Sequence, residues 1–325
     1  MKHMWFILII LLIIVGYFFI GEAKPSDEIS WGVNFSPKQT KSLGLDAKET
    51  YLAILDELGA DNVKLAVHWD EIEAEKGEFD FEDIDFYMDE ARSRNVKILL
   101  AIGMKTPRWP EGHFPEWFGG LSRKKQQQAI LDMEKAVVER YKDYPNLYGW
   151  QVENEPLFKY GEVPWRDKAF LKKEIEFVKS LDSNHLVITT DSGEMSLWFS
   201  IARLSDMVGI TMYTKVWFNE FQHYFEYPFP PVYYARKAAL VKALFKKDVI
   251  CVELQAEPWC PDLTQNCSPE EQDKTMNLER FQYNLEYAKE TGLDSFYLWG
   301  AEWWYWKKVS ENNSEIWNEA KSLWN

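Results

Sequence analysis

Short apolar runs rich in β-branched and aromatic residues alternate along this chain with segments whose apolar positions recur at helical spacing. The strand-like runs fall at 29–34, 63–68, 97–102, 147–152, 186–190, 207–213, 249–253 and 295–299. Helical patterns follow at 46–58, 81–94, 124–141, 167–181, 198–204, 234–245, 269–290 and 310–324. In the first of these, Asp46 provides a cap, Tyr51, Leu52, Ile54, Leu55 and Leu58 share a face, and Gly59 ends the helix. Eight strand–helix units in strict alternation predict an α/β fold, a single-domain (β/α)8 TIM barrel. The connections at 106–120 and from Trp217 through Tyr227 to Pro231 are too long and aromatic to be plain turns, and are expected to carry function.

Length and charge narrow the picture. A chain of 325 residues with 46% hydrophobic content fills one large barrel more economically than two domains. The formal net charge of −15 comes with no basic run to track phosphates, so nucleic acid is not an expected partner.

The segment from Met4 to Ile20 is almost wholly apolar, with Lys2 before it and Glu22, Asp27 and Glu28 after it. Its length lies between a signal-peptide core and a membrane-spanning helix, and Gly21-Glu22-Ala23 is a small-x-small cleavage pattern. Residues 1–28 therefore read either as a cleaved signal or as a retained membrane anchor through residues 4–20. Residues 29–325 form the barrel on the outer face, extracellular or tethered. Of three cysteines, Cys251 lies in an apolar run and is expected buried. Cys260 and Cys267 bracket a short polar loop with no nearby histidine, which suits a disulfide rather than a metal.

Sixteen tryptophans are a further signal. Trp69, Trp109, Trp117, Trp259, Trp299, Trp303 and Trp304 all fall just after predicted strands, where exposed indoles suit the apolar faces of sugars. Two strand ends carry acids. The fourth stops abruptly in Glu153-Asn154-Glu155-Pro156, since Pro156 removes a donor and restricts Glu155. The seventh ends at Glu253. In a parallel barrel these ends face one another across the mouth, where chemistry is done. Cleavage of a glycosidic bond needs one protonated carboxyl for the departing oxygen and one carboxylate for the anomeric carbon or a water. Taken alone, Asn-Glu-Pro is equally a helix cap and Glu253 an ordinary strand terminus; together they meet the chemical need.

These residues resemble the clan of retaining (β/α)8 glycoside hydrolases that includes cellulases, β-mannanases, xylanases and β-galactosidases. The resemblance rests on Trp150-Gln151-Val152-Glu153-Asn154-Glu155-Pro156 and on Val249 to Trp259 around Glu253. It implies Glu155 as general acid/base, Glu253 as nucleophile and Asn154 as a partner of the sugar 2-hydroxyl. Tyr213 would hydrogen-bond the nucleophile and Trp299 would be the aromatic platform at the cleavage point. His68 and Trp69 precede Glu78-Phe79-Asp80-Phe81, similar to a run in the clan, and His68 reads as a wall of the pocket. Where many members carry an arginine in strand two, Lys64 stands here, a point charge without a planar fork of donors. Glu153 and Glu257 are competing carboxylates of lower rank. Glu302 reads either as a subsite residue or as a loop residue holding a lysine.

The implied activity is retaining hydrolysis of β-linked poly- or oligosaccharides without a cofactor. The five histidines, His3, His68, His113, His185 and His223, include no pair at ligand spacing, which argues against a metal hydrolase. No Gly-x-Ser-x-Gly elbow or phosphate-cradling loop is present. The rival from another class is a catalytically silent, membrane-tethered carbohydrate-binding barrel. Endo or exo action depends on whether the long loops after strands three and six leave the cleft open.

Overall fold

The computed structural model of the chain describes residues 2–324. Its eight parallel strands close into a barrel in the order one, two, three, four, five, six, seven, eight and back to one. They are Ser30–Phe35, Asn62–Ala66, Lys97–Ile102, Leu147–Val152, Leu186–Asp191, Met207–Met212, Val249–Gln255 and Ser295–Trp299. Strands three, four and eight begin and end where the apolar runs predict.

Two hydrophobic clusters divide the core between the inside of the barrel and its helical jacket. The small inner one comprises Leu99, Ile188, Ile250, Val252 and Tyr297, and the large outer one packs strands against helices. The split exposes an irregularity in strand seven. Ile250 and Val252 are inner and Cys251 and Leu254 outer, so two consecutive residues, Val252 and Glu253, lie between outer-facing neighbours. The pairing has the same slip: Ile210 faces Cys251 while the next residue, Thr211, faces Glu253. This is a β-bulge, which re-aims the side chain that follows it. Asn34 of strand one supports it by donating from Nδ2 to the Val252 carbonyl at 2.9 Å.

Three expectations about the elements change. The predicted long helix over 269–290 is two helices, Pro269–Gln272 and Leu278–Lys289, because Asn277 is extended and caps the second through Arg280 N at 2.9 Å. The predicted closing helix over 310–324 is shorter, Glu315–Lys321, and a helix that was not expected, Ala301–Ser310, comes before it. The loop after strand six contains an antiparallel hairpin, Lys215–Phe218 with His223–Glu226. Cys260 and Cys267 are joined by a disulfide, and Cys251 is a buried thiol.

The helix Lys2–Phe19 precedes the barrel, and its end packs Phe18 and Phe19 against Tyr233 and Phe229. The ends of the expected segments at Met1 and Asn325, and the side chains of Lys2, His3, Met4, Ile7, Leu8 and Leu11, lie outside the described residues. Among the described residues no helix is long and apolar enough to cross a membrane. At 1.5 Å per residue its 18 residues span about 27 Å, against about 30 Å of bilayer hydrocarbon.

The tryptophans divide sharply. Trp69, Trp303 and Trp304 are fully buried, contrary to the loop-level placement expected of them. Trp69 donates to Glu73 at 2.6 Å and packs edge-on against Phe118 and Trp117. Trp303 and Trp304 donate to Gln272 and the Ala256 carbonyl at 3.1 and 2.7 Å. Each indole fills the jacket while its N–H finds an acceptor, which a position after a strand does not reveal. Replacing Trp69 with Ala should lower unfolding stability by about 3–5 kcal/mol in denaturant melts, the cost of an emptied aromatic site.

Candidate active site at the barrel mouth

Glu155 follows strand four in a left-handed backbone conformation, φ 40°, and Glu153 shares that conformation at φ 61°. Such conformations cost a non-glycine residue about 1–3 kcal/mol and are held only where surroundings over-determine them. Here each glutamate is held differently. Glu153 turns toward the loop after strand three and accepts from the amides of Met104 and Lys105, both at 2.8 Å. Gly103 makes room for it, since a Cβ there would stand 2.7 Å from Glu153 Oε1. Burial raises the Glu153 pKa to about 6, and Glu174 is hydrogen-bonded to it. Glu153, the nearer competing carboxylate, thus anchors a loop.

Glu155 faces the mouth. Its amide donates to Thr190 Oγ1 at 2.6 Å, and Thr211 donates to its Oε1 at 3.2 Å. Burial, then the charges of Glu111 and Glu253, push its pKa well above the ordinary carboxylate value. Glu253, turned inward by the bulge, accepts from Lys64 Nζ at 3.0 Å on Oε1 and from the Tyr213 hydroxyl at 3.1 Å on Oε2. Burial lowers the Lys64 pKa, with Glu253 opposing the shift. The Tyr213 pKa is raised by burial and then by Glu253. Lys64, in the strand-two position where many clan members carry an arginine, lies beside Glu253 and also donates to the Val252 carbonyl.

A third acid in the group escaped the sequence reading. Glu111, from the loop after strand three, pairs through Oε2 with Lys105 Nζ at 2.7 Å and accepts on Oε1 from Asn154 Nδ2 at 3.0 Å. Lys105 also donates to the backbone carbonyl of Glu155 at 3.2 Å. Asn154 is held further by Gln151 and Thr190, which donate to its Oδ1 at 3.1 and 3.3 Å. The only signal for Glu111 was the unusual length of its loop.

The remaining expected site residues scatter. One face of Trp299 is covered by the guanidinium of Arg108, whose Cζ lies 3.9 Å from the ring centroid. Arg108 in turn is held by Glu302 at 3.0 Å and by Glu257. Glu302 is fully buried, also accepts from Ser36 N at 2.6 Å, and so holds an arginine where a lysine or a subsite was expected. His68 is buried, with Nε2 3.3 Å from the Pro107 carbonyl, and supports the loop after strand three. Trp109 is 54% exposed and begins a row of rings, Trp109 to Tyr160 at 5.8 Å, Tyr160 to Trp259 at 6.0 Å, and Trp259 to Tyr213 at 5.0 Å. That row ends on the tyrosine that binds Glu253.

Comparison with known proteins gives the class to which this site is similar. The family profile described as beta-galactosidase, glycoside hydrolase family 42, matches residues 34–170, less than half of the chain. Mannan endo-1,4-beta-mannosidase F of Aspergillus clavatus is 26% identical over 124 residues, covering 34% of this chain and 26% of that protein. Mannan endo-1,4-beta-mannosidase 1 of Arabidopsis thaliana is 27% identical over 122 residues, 33% of this chain and 30% of that protein. The chain therefore spans less than a third of the length of these curated relatives in the matched region.

Among solved structures, xylanase 10B from Thermotoga petrophila in complex with xylobiose superposes with a TM-score of 0.57 at 15% identity, covering 84% of this chain and 82% of that one. GH5_18 from Streptomyces cattleya in complex with GlcNAc gives a TM-score of 0.59 at 15% identity, over 85% and 71% of the two chains. At that identity the likeness is one of fold. The chain is similar to the (β/α)8 glycoside hydrolase clan.

The raised pKa of Glu155 has a consequence for stability. In the unfolded chain this carboxyl ionises in the ordinary range, whereas the folded protein holds its proton to higher pH. The folded state thus binds more protons there, and its stability falls as pH rises through that window. Glu155→Gln should raise the melting temperature at about pH 8 and change it little at about pH 3, where both states are protonated. Thermal melts of the two proteins at both pH values measure this.

Proposed function

We infer that this protein is a retaining glycoside hydrolase acting on β-linked poly- or oligosaccharides. The observation that carries the reading is the unlike treatment of two acids at one barrel mouth. Glu253 is gripped by Lys64 and Tyr213, whereas among the described residues no cation is hydrogen-bonded to the Glu155 carboxyl, which burial and Glu111 drive toward its protonated form. Pushing two carboxyls apart in this way assigns acid and base.

In the first step a carboxylate oxygen of Glu253 bonds to the anomeric carbon as the glycosidic C–O bond breaks. The Glu155 proton passes to the leaving oxygen. In the second, water attacks the same carbon, gives its proton to Glu155 and frees Glu253, so the anomeric configuration is kept. Thr211 and Thr190 orient Glu155, and Tyr213 and Lys64 orient Glu253. Asn154, fixed by Gln151 and Glu111, is the residue for the sugar 2-hydroxyl. The row of exposed Trp109 with half-buried Tyr160 and Trp259 offers apolar faces to the leaving-group sugars.

Export of the barrel, with residues 1–28 as signal or anchor, belongs to the same reading. It is supported by the apolar Lys2–Phe19 helix and by the Cys260–Cys267 disulfide, which suits an oxidising compartment.

Glu253→Gln should abolish turnover of every glycoside. Glu155→Ala should slow unactivated substrates by about 10²–10⁴-fold, the usual worth of a general acid, and spare the first step on aryl glycosides with good leaving groups. Steady-state and burst kinetics on both substrate types check this, and identical losses on the two would refute the assignment of roles. Binding of glycans with no turnover, unchanged in Glu155→Gln, would favour the silent carbohydrate-binding barrel.

A further inference from the structure

The loop after strand three reaches far beyond its own strand. In the barrel order, strand three is separated from strand eight by strands two and one. Yet Arg108 bonds Glu257, beyond strand seven, and Glu302, beyond strand eight, and lies flat on Trp299. On the way the loop crosses the ends of strands one and two, where it is fastened twice. His68, after strand two, bonds the Pro107 carbonyl at 3.3 Å, and Lys38, after strand one, lies 3.1 Å from Nδ1 of His113, a residue of the loop itself whose Nε2 lies 2.9 Å from the Arg108 carbonyl. Burial pushes the His113 pKa down to about 2, so its ring is neutral. That lets Nδ1 accept from Lys38 at 3.1 Å while Nε2 donates to the strap.

The fastening is strong enough to hold Arg108 in a left-handed conformation, φ 89°, with its guanidinium buried. Such a residue is a fixed wall; a mobile lid would not sustain the strain. Its position relative to the two acids matters. The proton donor must stand beside the oxygen it protonates, so the leaving sugars lie toward Glu155, with exposed Trp109 and half-buried Tyr160 and Trp259 beside it. The sugar being cleaved then lies toward Trp299, and its own 4-substituent would continue into the space that Arg108 fills.

We propose that Arg108, clamped by Glu257 and Glu302 against Trp299, closes the cleft beyond a single sugar, so that the protein releases monosaccharides from the non-reducing ends of β-linked chains. This inference rests on the hydrolase reading above and adds the mode of attack. A groove open at both ends would cut within chains; a pocket closed behind one sugar admits only a terminus.

The test uses β-1,4-linked manno-, xylo- and cello-oligosaccharides labelled at the reducing end, with products followed over time by mass spectrometry. The expected result is loss of one sugar per step from the unlabelled end, with no internal fragments at early times. Arg108→Ala should open the pocket and raise the ratio of disaccharide to monosaccharide released from that end by about tenfold or more. Because that change leaves two buried carboxylates without their cation, the triple variant Arg108→Ala, Glu257→Gln, Glu302→Gln provides the same opening without the stranded charges. Internal fragments from the unmodified protein would overturn the proposal while leaving the hydrolase reading intact. So would single-sugar release unchanged in a folded opened variant. No hydrolysis of any oligosaccharide or aryl glycoside by the folded protein would overturn both.

Discussion

Three buried carboxylates share two buried lysines at the mouth of this barrel, and the site follows from how the lysines are divided. Lys64 goes to Glu253 and Lys105 to Glu111. Glu155 receives from Lys105 only a bond to its backbone carbonyl. An isolated carboxylate out of water keeps its proton sooner than remain charged beside two other acids. The two acids are therefore unlike before any ligand enters: Glu253 is paired with an ammonium group, while burial and the neighbouring acids push Glu155 toward its protonated form.

The surrounding structure fixes that division. Glu153 binds two consecutive amides after strand three and so sets where Lys105 stands. The bulge in strand seven turns Glu253 from the helical side to the inside, into reach of Lys64 on strand two. The strap carrying Arg108 and Glu111 is held by His68 after strand two and by Lys38 after strand one, and it places the third acid beside Lys105 and Asn154. Strain at Arg108, Glu111, Glu153 and Glu155, all with positive φ, gathers in this small region. Elsewhere the regular barrel supplies the compensating stability.

Much of the fold was legible because alternation of buried strands and amphipathic helices is a local property. The fourth strand and its Glu-Asn-Glu-Pro ending could be read directly, as could the Asp46 cap, which accepts from Glu49 N at 2.8 Å. What escaped depends on contacts distant in sequence. Strict alternation puts Glu253 on the face of Cys251, and only the slip in pairing with strand six reverses it. Trp69 and Trp304 read like mouth residues, yet their partners, Phe118 and Ala256, come from other loops. Glu111 and Arg108 lie in a loop whose length marked it as functional, but a loop's reach cannot be read from its length. Glu302 was weighed as a lysine's partner, and Arg108 proved to occupy it.

The most direct test of the division of charge is to trap the intermediate with a fluorinated, activated β-glycoside and map the modified peptide by mass spectrometry. The account predicts a single covalent label on Glu253, displaced when an acceptor sugar is added. A label on Glu155 or Glu111, or turnover of the unfluorinated glycoside with inversion at the anomeric carbon, would contradict it.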